Sequence, residues 1–180
     1  PALGCGGSAR ALLNVVVLNG GRGAASLIPA LLDEAGLNVV SIVNAYDDGK
    51  STGDIRRFFR MLGPSDIRKV QSLMLPEGPE RAVAEALFGT RFPHSARRGD
   101  VLADLERFVA GQPELAGIRI DDGVLASTLR RFCGLFADTL QLIEGVRGSR
   151  FDFADCSLMN CLYAGAYLAC GRDMELTTRS

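Results

Sequence analysis

The fold turns on Asn14-Val15-Val16-Val17-Leu18-Asn19-Gly20-Gly21-Arg22-Gly23-Ala24-Ala25-Ser26, followed by Leu27-Ile28-Pro29-Ala30-Leu31-Leu32. A β-branched run reads as a strand over 14–19, and the glycines end it. Leu27, Ile28, Leu31, Leu32 and Ala35 then recur at helical spacing, with Ser26 or an earlier Ala24 start as the cap and Gly36 as the stop. Asn38-Val39-Val40-Ser41-Ile42-Val43-Asn44 forms a second strand. Both strands are apolar without clean alternation, which predicts a parallel sheet covered on both faces. Strand, Gly-rich turn, helix and strand make the first unit of a Rossmann-like α/β fold. A right-handed crossover puts the ends of both strands on one edge.

Downstream, the spacing predicts helices over 54–61, from Ser65 or Asp66 to 75, and over 79–88, 100–110, 121–146 and 154–170. On the long helix Leu125, Leu129, Phe132, Phe136, Leu140 and Ile143 form an apolar stripe. It reads as packing inside a helical subdomain, with a dimer seam as the alternative. Asp121-Asp122-Gly123 reads as the cap of that helix. The organisation expected is a tail over 1–13, a Rossmann-like domain over 14–92 and 155–180, and a helical insertion over 95–154. Two strands make too small a sheet, so the chain is expected to be the N-terminal part of a larger fold.

The 180 residues are 47% hydrophobic and 23% charged, enough apolar content for a core. Twenty basic against 21 acidic side chains leave a net charge of −1, which excludes nucleic-acid binding driven by overall charge. Mean hydropathy is +0.15, and no run approaches the roughly 20 apolar residues of a membrane span. The first ten residues carry no signal-peptide pattern. A soluble, cytoplasmic protein is expected, with no membrane partner. Five cysteines, odd in number and without a C-x-x-C pair, predict reduced apolar fillers rather than disulfides or a zinc site.

Three features carry chemistry. Gly20-Gly21-Arg22-Gly23 hands a strand to a helix, where backbone amides and the positive helix end favour phosphate. It lacks a Walker Gly-Lys-Ser/Thr and a full G-x-G-x-x-G, and a plain turn is the competing reading. Asp47-Asp48-Gly49-Lys50-Ser51-Thr52-Gly53 reads as a second loop on the same edge. Its paired acids suit Mg²⁺ or ligand donors, Ser51 and Thr52 suit phosphate, and Gly53 permits close approach; a solvated Asp-Gly turn is the alternative. Between Lys50 and Lys69, six basic residues face two acidic ones, a local field suited to an anionic small ligand. Phe58 and Phe59 read as the buried side of their helix rather than a nucleic-acid platform. His94, the single histidine, reads as a surface loop residue.

These pieces in this order resemble the superfamily that unites 2-phospho-L-lactate transferase (CofD) with the gluconeogenesis-factor (YvcK) proteins. Gly20-Gly21-Arg22-Gly23 matches its Gly-Gly-x-Gly turn, and Asp47 to Gly53 matches the Asp-Asp-Gly-x-Ser-x-Gly loop of the second branch. Pro64-Ser65-Asp66-Ile67-Arg68, Leu87-Phe88-Gly89-Thr90-Arg91-Phe92 and Ser157-Leu158-Met159-Asn160 are similar to three further elements. Arg22 replaces a usual Thr, Met159 a usual Gly, and Cys156 stands where His is common. The resemblance implies a nucleotide or nucleotide-sugar ligand. Gly20, Gly21, Arg22, Gly23, Ala24, Ser51, Thr52, Gly53, Arg56, Asp66, Arg68 and Asn160 would bind it, and Asp47 and Asp48 would hold Mg²⁺ or a ligand hydroxyl. It implies a regulatory binding protein, or alternatively a Mg²⁺-dependent phospholactyl-type transferase in which Asp47 and Asp48 act in catalysis. Two further expectations stand beside it: a helical interaction module with a vestigial site, and a homo-oligomer formed through the insertion.

Overall fold

The computed structural model describes residues 12–20 and 23–180. The predicted tail over 1–13 therefore lies almost entirely outside the described residues. Strand β1 (Leu13–Asn19) leads to the short helix α1 (Leu27–Leu32) and then to β2 (Leu37–Val43). The two strands pair in parallel and in full register, from Leu13 beside Leu37 to Asn19 beside Val43. This is the α/β unit expected. The turn before α1 already carries a helical bond, from the Ile28 amide to the Ala24 carbonyl at 3.0 Å.

The sheet differs from expectation in its covering. Val15, Val17, Val39 and Val43 face inward and pack with Ala24, Ile28 and Val70 in a small core under α1 and α3. Val16, Leu18, Val40 and Ile42 point the other way and are exposed. Among the described residues helices lie on one face only, so the strands alternate between buried and exposed positions although their sequence does not.

Helices α2 (Lys50–Phe59), α3 (Pro64–Leu73), α4 (Arg81–Gly89) and α5 (Arg98–Val109) follow. A two-residue antiparallel hairpin, β3 (Glu114–Leu115) and β4 (Ile118–Arg119), precedes α6 (Val124–Arg147), α7 (Leu158–Ala169) and α8 (Met174–Arg179). The α6 stripe is used inside the molecule. Leu129, Phe132, Phe136 and Leu140 are buried in a core shared with α2, α4, α5 and α7, and Leu125 and Ile143 pack at its margin. Phe59 stacks on Phe136 at 5.3 Å, and Phe151 meets Phe153 edge-on at 4.9 Å. Phe58 and Phe59 both join this core, as the sequence suggested.

Several helix starts are corrected. Gly123 is the N-cap of α6; Asp121 and Asp122 pair instead with Arg119 and Arg130. Gly63 caps α3, and Pro64 at its first position presets the helical φ, so Ser65 and Asp66 lie inside the first turn. The predicted helix over 154–170 begins at Leu158 behind Ser157, and a separate α8 follows it. His94 is exposed on a loop. Cys133, Cys156 and Cys161 are buried thiols and Cys170 is half-buried, with no disulfide among the described residues. Burial pushes the Cys133 thiol up to about 12, so it stays protonated. No helix among the described residues is long and apolar enough to cross a membrane.

Candidate functional site

The parallel register brings two chain segments out of one sheet edge. Asn19 and Val43 end their strands side by side, and the Asn44 amide donates to the Asn19 carbonyl at 3.0 Å. Gly20 therefore begins its turn next to Asn44, Ala45 and the acids that follow.

The second segment is shorter than expected. Lys50, Ser51, Thr52 and Gly53 are the first turn of α2, capped at Gly49, and only the stretch before them is loop. Helix geometry leaves the leading amides of that turn without partners along the helix. Asp47 organises the approach: one carboxylate oxygen accepts from the Gly49 amide at 3.1 Å and the other from the Thr52 hydroxyl at 3.4 Å. Thr52 is buried and also hydrogen-bonds the buried Ser65 hydroxyl, which locks the turn onto α3. Asp48 points outward and pairs with Arg56 at 3.3 Å and Arg57 at 4.0 Å. Arg56 in addition donates to the Asp47 carbonyl at 3.4 Å.

Gly53 sits tightly against the loop. A Cβ there would lie 2.9 Å from the Asp48 carboxylate and 3.2 Å from its carbonyl. Gly63, which ends the step into α3, is more constrained. A Cβ at Gly63 would lie 2.7 Å from the Asp47 carbonyl and 3.0 Å from Thr52, so α3 starts directly beneath the acidic loop. The Gly63 amide also donates to the Ala45 carbonyl at 3.0 Å.

Asn160, fully buried in the first turn of α7, donates to the Ser51 hydroxyl at 3.1 Å and joins the last long helix to α2. Asp66 pairs with Lys69 at 2.8 Å and stands beside the glycine turn, 3.6 Å from where a Gly20 Cβ would be. Arg68 donates to the Phe88 carbonyl at 3.1 Å and has no carboxylate partner among the described residues. Burial, then repulsion from Arg91, holds its guanidinium below the ordinary arginine value. Gly23 is exposed, whereas the Ala24 methyl is buried in the small core. Gly21 and Arg22 lie outside the described residues.

The structure thus joins Asp47, Asp48, Thr52 and Arg56 through hydrogen bonds, pairs Ser51 with Asn160, places Gly20 beside Asp66, and holds Arg68 on the next helix. Gly63 is the residue that sequence reasoning passed over, and Ser65 and Arg91, quoted there only within motifs or as a helix start, were not counted among the site residues. The short Gly63-Pro64-Ser65 step was the available signal, since a helix start so close to Asp47 leaves no room for a larger residue. Among the described residues no three His, Cys, Asp or Glu side chains are grouped to hold a metal. Mg²⁺ at this edge would depend on a ligand's phosphates for most of its oxygens.

No solved structure matches the chain. Relatives named "Putative gluconeogenesis factor" match the chain, among them three from different genera. The one from Nostoc sp. is 34% identical over 128 residues, 64% of this chain and 27% of the relative. That from Streptococcus pyogenes is 32% identical over 107 residues, 57% of this chain and 30% of the relative. That from Aquifex aeolicus is 31% identical over 108 residues, 58% and 31% respectively. The chain spans less than a third of the length of these proteins. The family model for 2-phospho-L-lactate transferase CofD matches residues 15–144, from β1 through both segments at the sheet edge into α6. With most of its length under that match, this chain belongs to the CofD family.

Proposed function

We propose that the chain binds a nucleoside diphosphate, free or as a nucleotide sugar, across the edge where β1 and β2 end, in a regulatory role. One observation supports the reading: Asn19 and Val43 are register partners, so the chain leaves both strands at one sheet edge. The diphosphate lies against the leading amides of α2 and the Ser51 hydroxyl, where the helix dipole favours negative charge. Gly20 and Gly23, which carry no side chain, let backbone approach the ligand closely. Arg68 supplies a cation that pairs with no carboxylate among the described residues. Thr52 and Gly53 shape the turn rather than touch the ligand, and Asn160 orients Ser51. Asp66 faces ligand hydroxyls across the glycine turn, since a carboxylate there repels phosphate.

Asp47 is occupied by Gly49 and Thr52, whereas the Asp48 side chain is 64% exposed and held only by arginines. Asp48 is therefore the carboxylate that a Mg²⁺ arriving with the diphosphate would use, and Asp47 would keep the turn in shape. The metal would supply charge neutralisation between the phosphates.

A second reading is favoured by the family description itself: transfer of a phospholactyl-type group at the same edge, with Asp48 near the leaving diphosphate. Titration calorimetry with UDP, GDP and UDP-sugars, each with and without Mg²⁺, tests the binding. Saturable heat that Arg68→Gln reduces supports it; no heat from any of them overturns it. Turnover of an activated phospholactate donor, lost in Asp48→Asn, decides for the transferase, and binding without turnover decides for the regulator.

A further inference from the structure

Cys156 and Cys161 stand on either side of the first turn of α7. Ser157 is the N-cap of that helix, so Cys156 precedes the cap and Cys161 is the fourth helical residue. Those two positions meet in a hydrophobic staple, where side chains close over a helix start. Here both side chains are thiols. Their sulfurs lie 3.9 Å apart, about 2 Å beyond the length of a disulfide bond. Both lean on the same Ser157 carbonyl, at 3.6 and 3.8 Å, contacts that a thiol makes only weakly. Cys156 is also one of the residues that depart from the family motif.

The two residues are 0% and 1% exposed, so a bulky disulfide reagent cannot reach them as the molecule stands. Hydrogen peroxide, little larger than water, enters as the loop before α7 opens locally. Cys156 is the better placed to attack it. It sits ahead of the positive end of α7, and its charge interacts favourably with Arg68, which has no carboxylate partner among the described residues. Cys161 is the complement. Burial first, then its contact with Cys156, holds its thiol well above the ordinary cysteine value, so it waits in the protonated form.

We propose that Cys156 and Cys161 form a peroxide-sensitive redox pair, closing reversibly into a disulfide across the first turn of α7. The Cys156 sulfur attacks one peroxide oxygen; the O–O bond breaks, and the departing hydroxide takes the Cys156 proton as water. The Cys161 sulfur then attacks the sulfenic sulfur of Cys156. The S–O bond breaks, and the hydroxyl leaves with the Cys161 proton as a second water. Two thiols give up two electrons in all, and peroxide is reduced to two waters. The bond is a covalent staple around the turn that carries Asn160, which holds the Ser51 hydroxyl of α2 at 3.1 Å. The closed pair therefore steadies the leading turns of both α7 and α2. Tighter nucleotide binding follows, a consequence that rests on the sheet-edge reading above.

The test treats the whole chain with equimolar hydrogen peroxide, alkylates the remaining thiols and maps the peptides by mass spectrometry. A Cys156–Cys161 link, two hydrogen atoms lighter, is expected, with Cys133 still a thiol and the link removed by dithiothreitol. On oxidation, amide hydrogen exchange at 160–164 and 53–56 is expected to slow about threefold or more, and not in Cys161→Ser. Absence of the link, pairing of either cysteine with Cys133 or Cys170 instead, or unchanged exchange at 53–56 once the link has formed overturns the proposal. The mass readout needs only the parent chain, so it decides even if Cys161→Ser does not fold. UDP and GDP titrations of the reduced and oxidised samples complete the test. Binding about threefold tighter after oxidation is expected, and equal affinity overturns the coupling to the sheet edge. A reduced chain that binds neither nucleotide counts against the sheet-edge reading, while the mass and exchange readouts still decide the redox pair.

Discussion

Asn160 and Ser51 are 109 positions apart in the chain, yet the amide of one donates to the hydroxyl of the other at 3.1 Å. The bond fastens α7 to the leading turn of α2, and it fixes the hydroxyl nearest the free helix amides. Its effect on ligand binding is therefore shared between two residues. Ser51→Ala and Asn160→Ala are each expected to lower nucleotide affinity about threefold to tenfold, the worth of one hydrogen bond. The double variant should be no worse than the poorer single one, since both remove the same interaction. Calorimetry on the four proteins checks this; additive losses would mean that the two side chains act separately.

The glycines at this edge separate into two kinds. Gly63 has backbone and Thr52 within 3.0 Å of any Cβ, whereas Gly23 has open space around it. Gly63→Ala pushes the Asp47 loop off α3 and should lower nucleotide affinity more than tenfold, with a stability loss of about 1–3 kcal/mol from overpacking. Gly23→Ala should leave stability within about 0.5 kcal/mol, as surface changes do. Urea melts beside the titrations measure both. Equal stability losses in the two variants would remove Gly63 from the account.

Much of this was legible in the sequence. β1, α1 and β2 follow from a β-branched run, a glycine stop and helical spacing, and their parallel pairing follows from the crossover. The stripe on α6 was legible as one buried face. Other features depend on contacts distant in sequence. Nothing near Thr52 indicates that Ser65 closes its hydrogen bond, so a residue read as a phosphate donor is a strut. Lys50 and Ser51 look like loop because Gly49 and Gly53 flank them, yet the Gly53 amide bonds the Gly49 carbonyl at 2.7 Å and the turn is helical. The open sheet face was not legible either, because two apolar strands read alike whether one face or both are covered.

The crossing of α6 and α7 tolerates no side chain at Gly165. A Cβ there would overlap the Phe132 carbonyl oxygen and lie 2.6 Å from its carbonyl carbon. Backbone cannot yield as a side-chain tip can, so Gly165→Ala must separate the helices that carry Asn160 and much of the large core. A loss of at least about 3 kcal/mol is expected, at the upper end for overpacked sites. Gly145→Ala on α6, where space is open, serves as the control and should not destabilise. Circular dichroism melts of both check the argument. A Gly165→Ala protein as stable as the parent would show that this crossing is looser than described.

Glu144 gives the fold an acid-sensitive joint. Its carboxylate is buried on α6, accepts Arg98 through two oxygens and the Phe151 amide at 2.7 Å, and lies 3.4 Å from Arg150. Burial alone would raise its pKa. The Arg98 bonds, the Phe151 amide and the charge of Arg150 outweigh that and hold it below the usual carboxylate value. The folded state therefore binds this proton less readily than the unfolded chain, whose glutamates titrate near about 4.3. The stabilisation is complete above that pH and is lost as pH falls through the lower folded value. Glu144→Gln leaves Arg98 without its counter-charge and should cost about 3 kcal/mol at pH 7, the range for a broken buried pair. The same substitution should cost less at pH 3, below the unfolded glutamate value, where part of the carboxylate's stabilisation is already lost. Urea unfolding of both proteins at the two pH values measures the difference, and a gap that does not shrink in acid would remove charge from the role of Glu144.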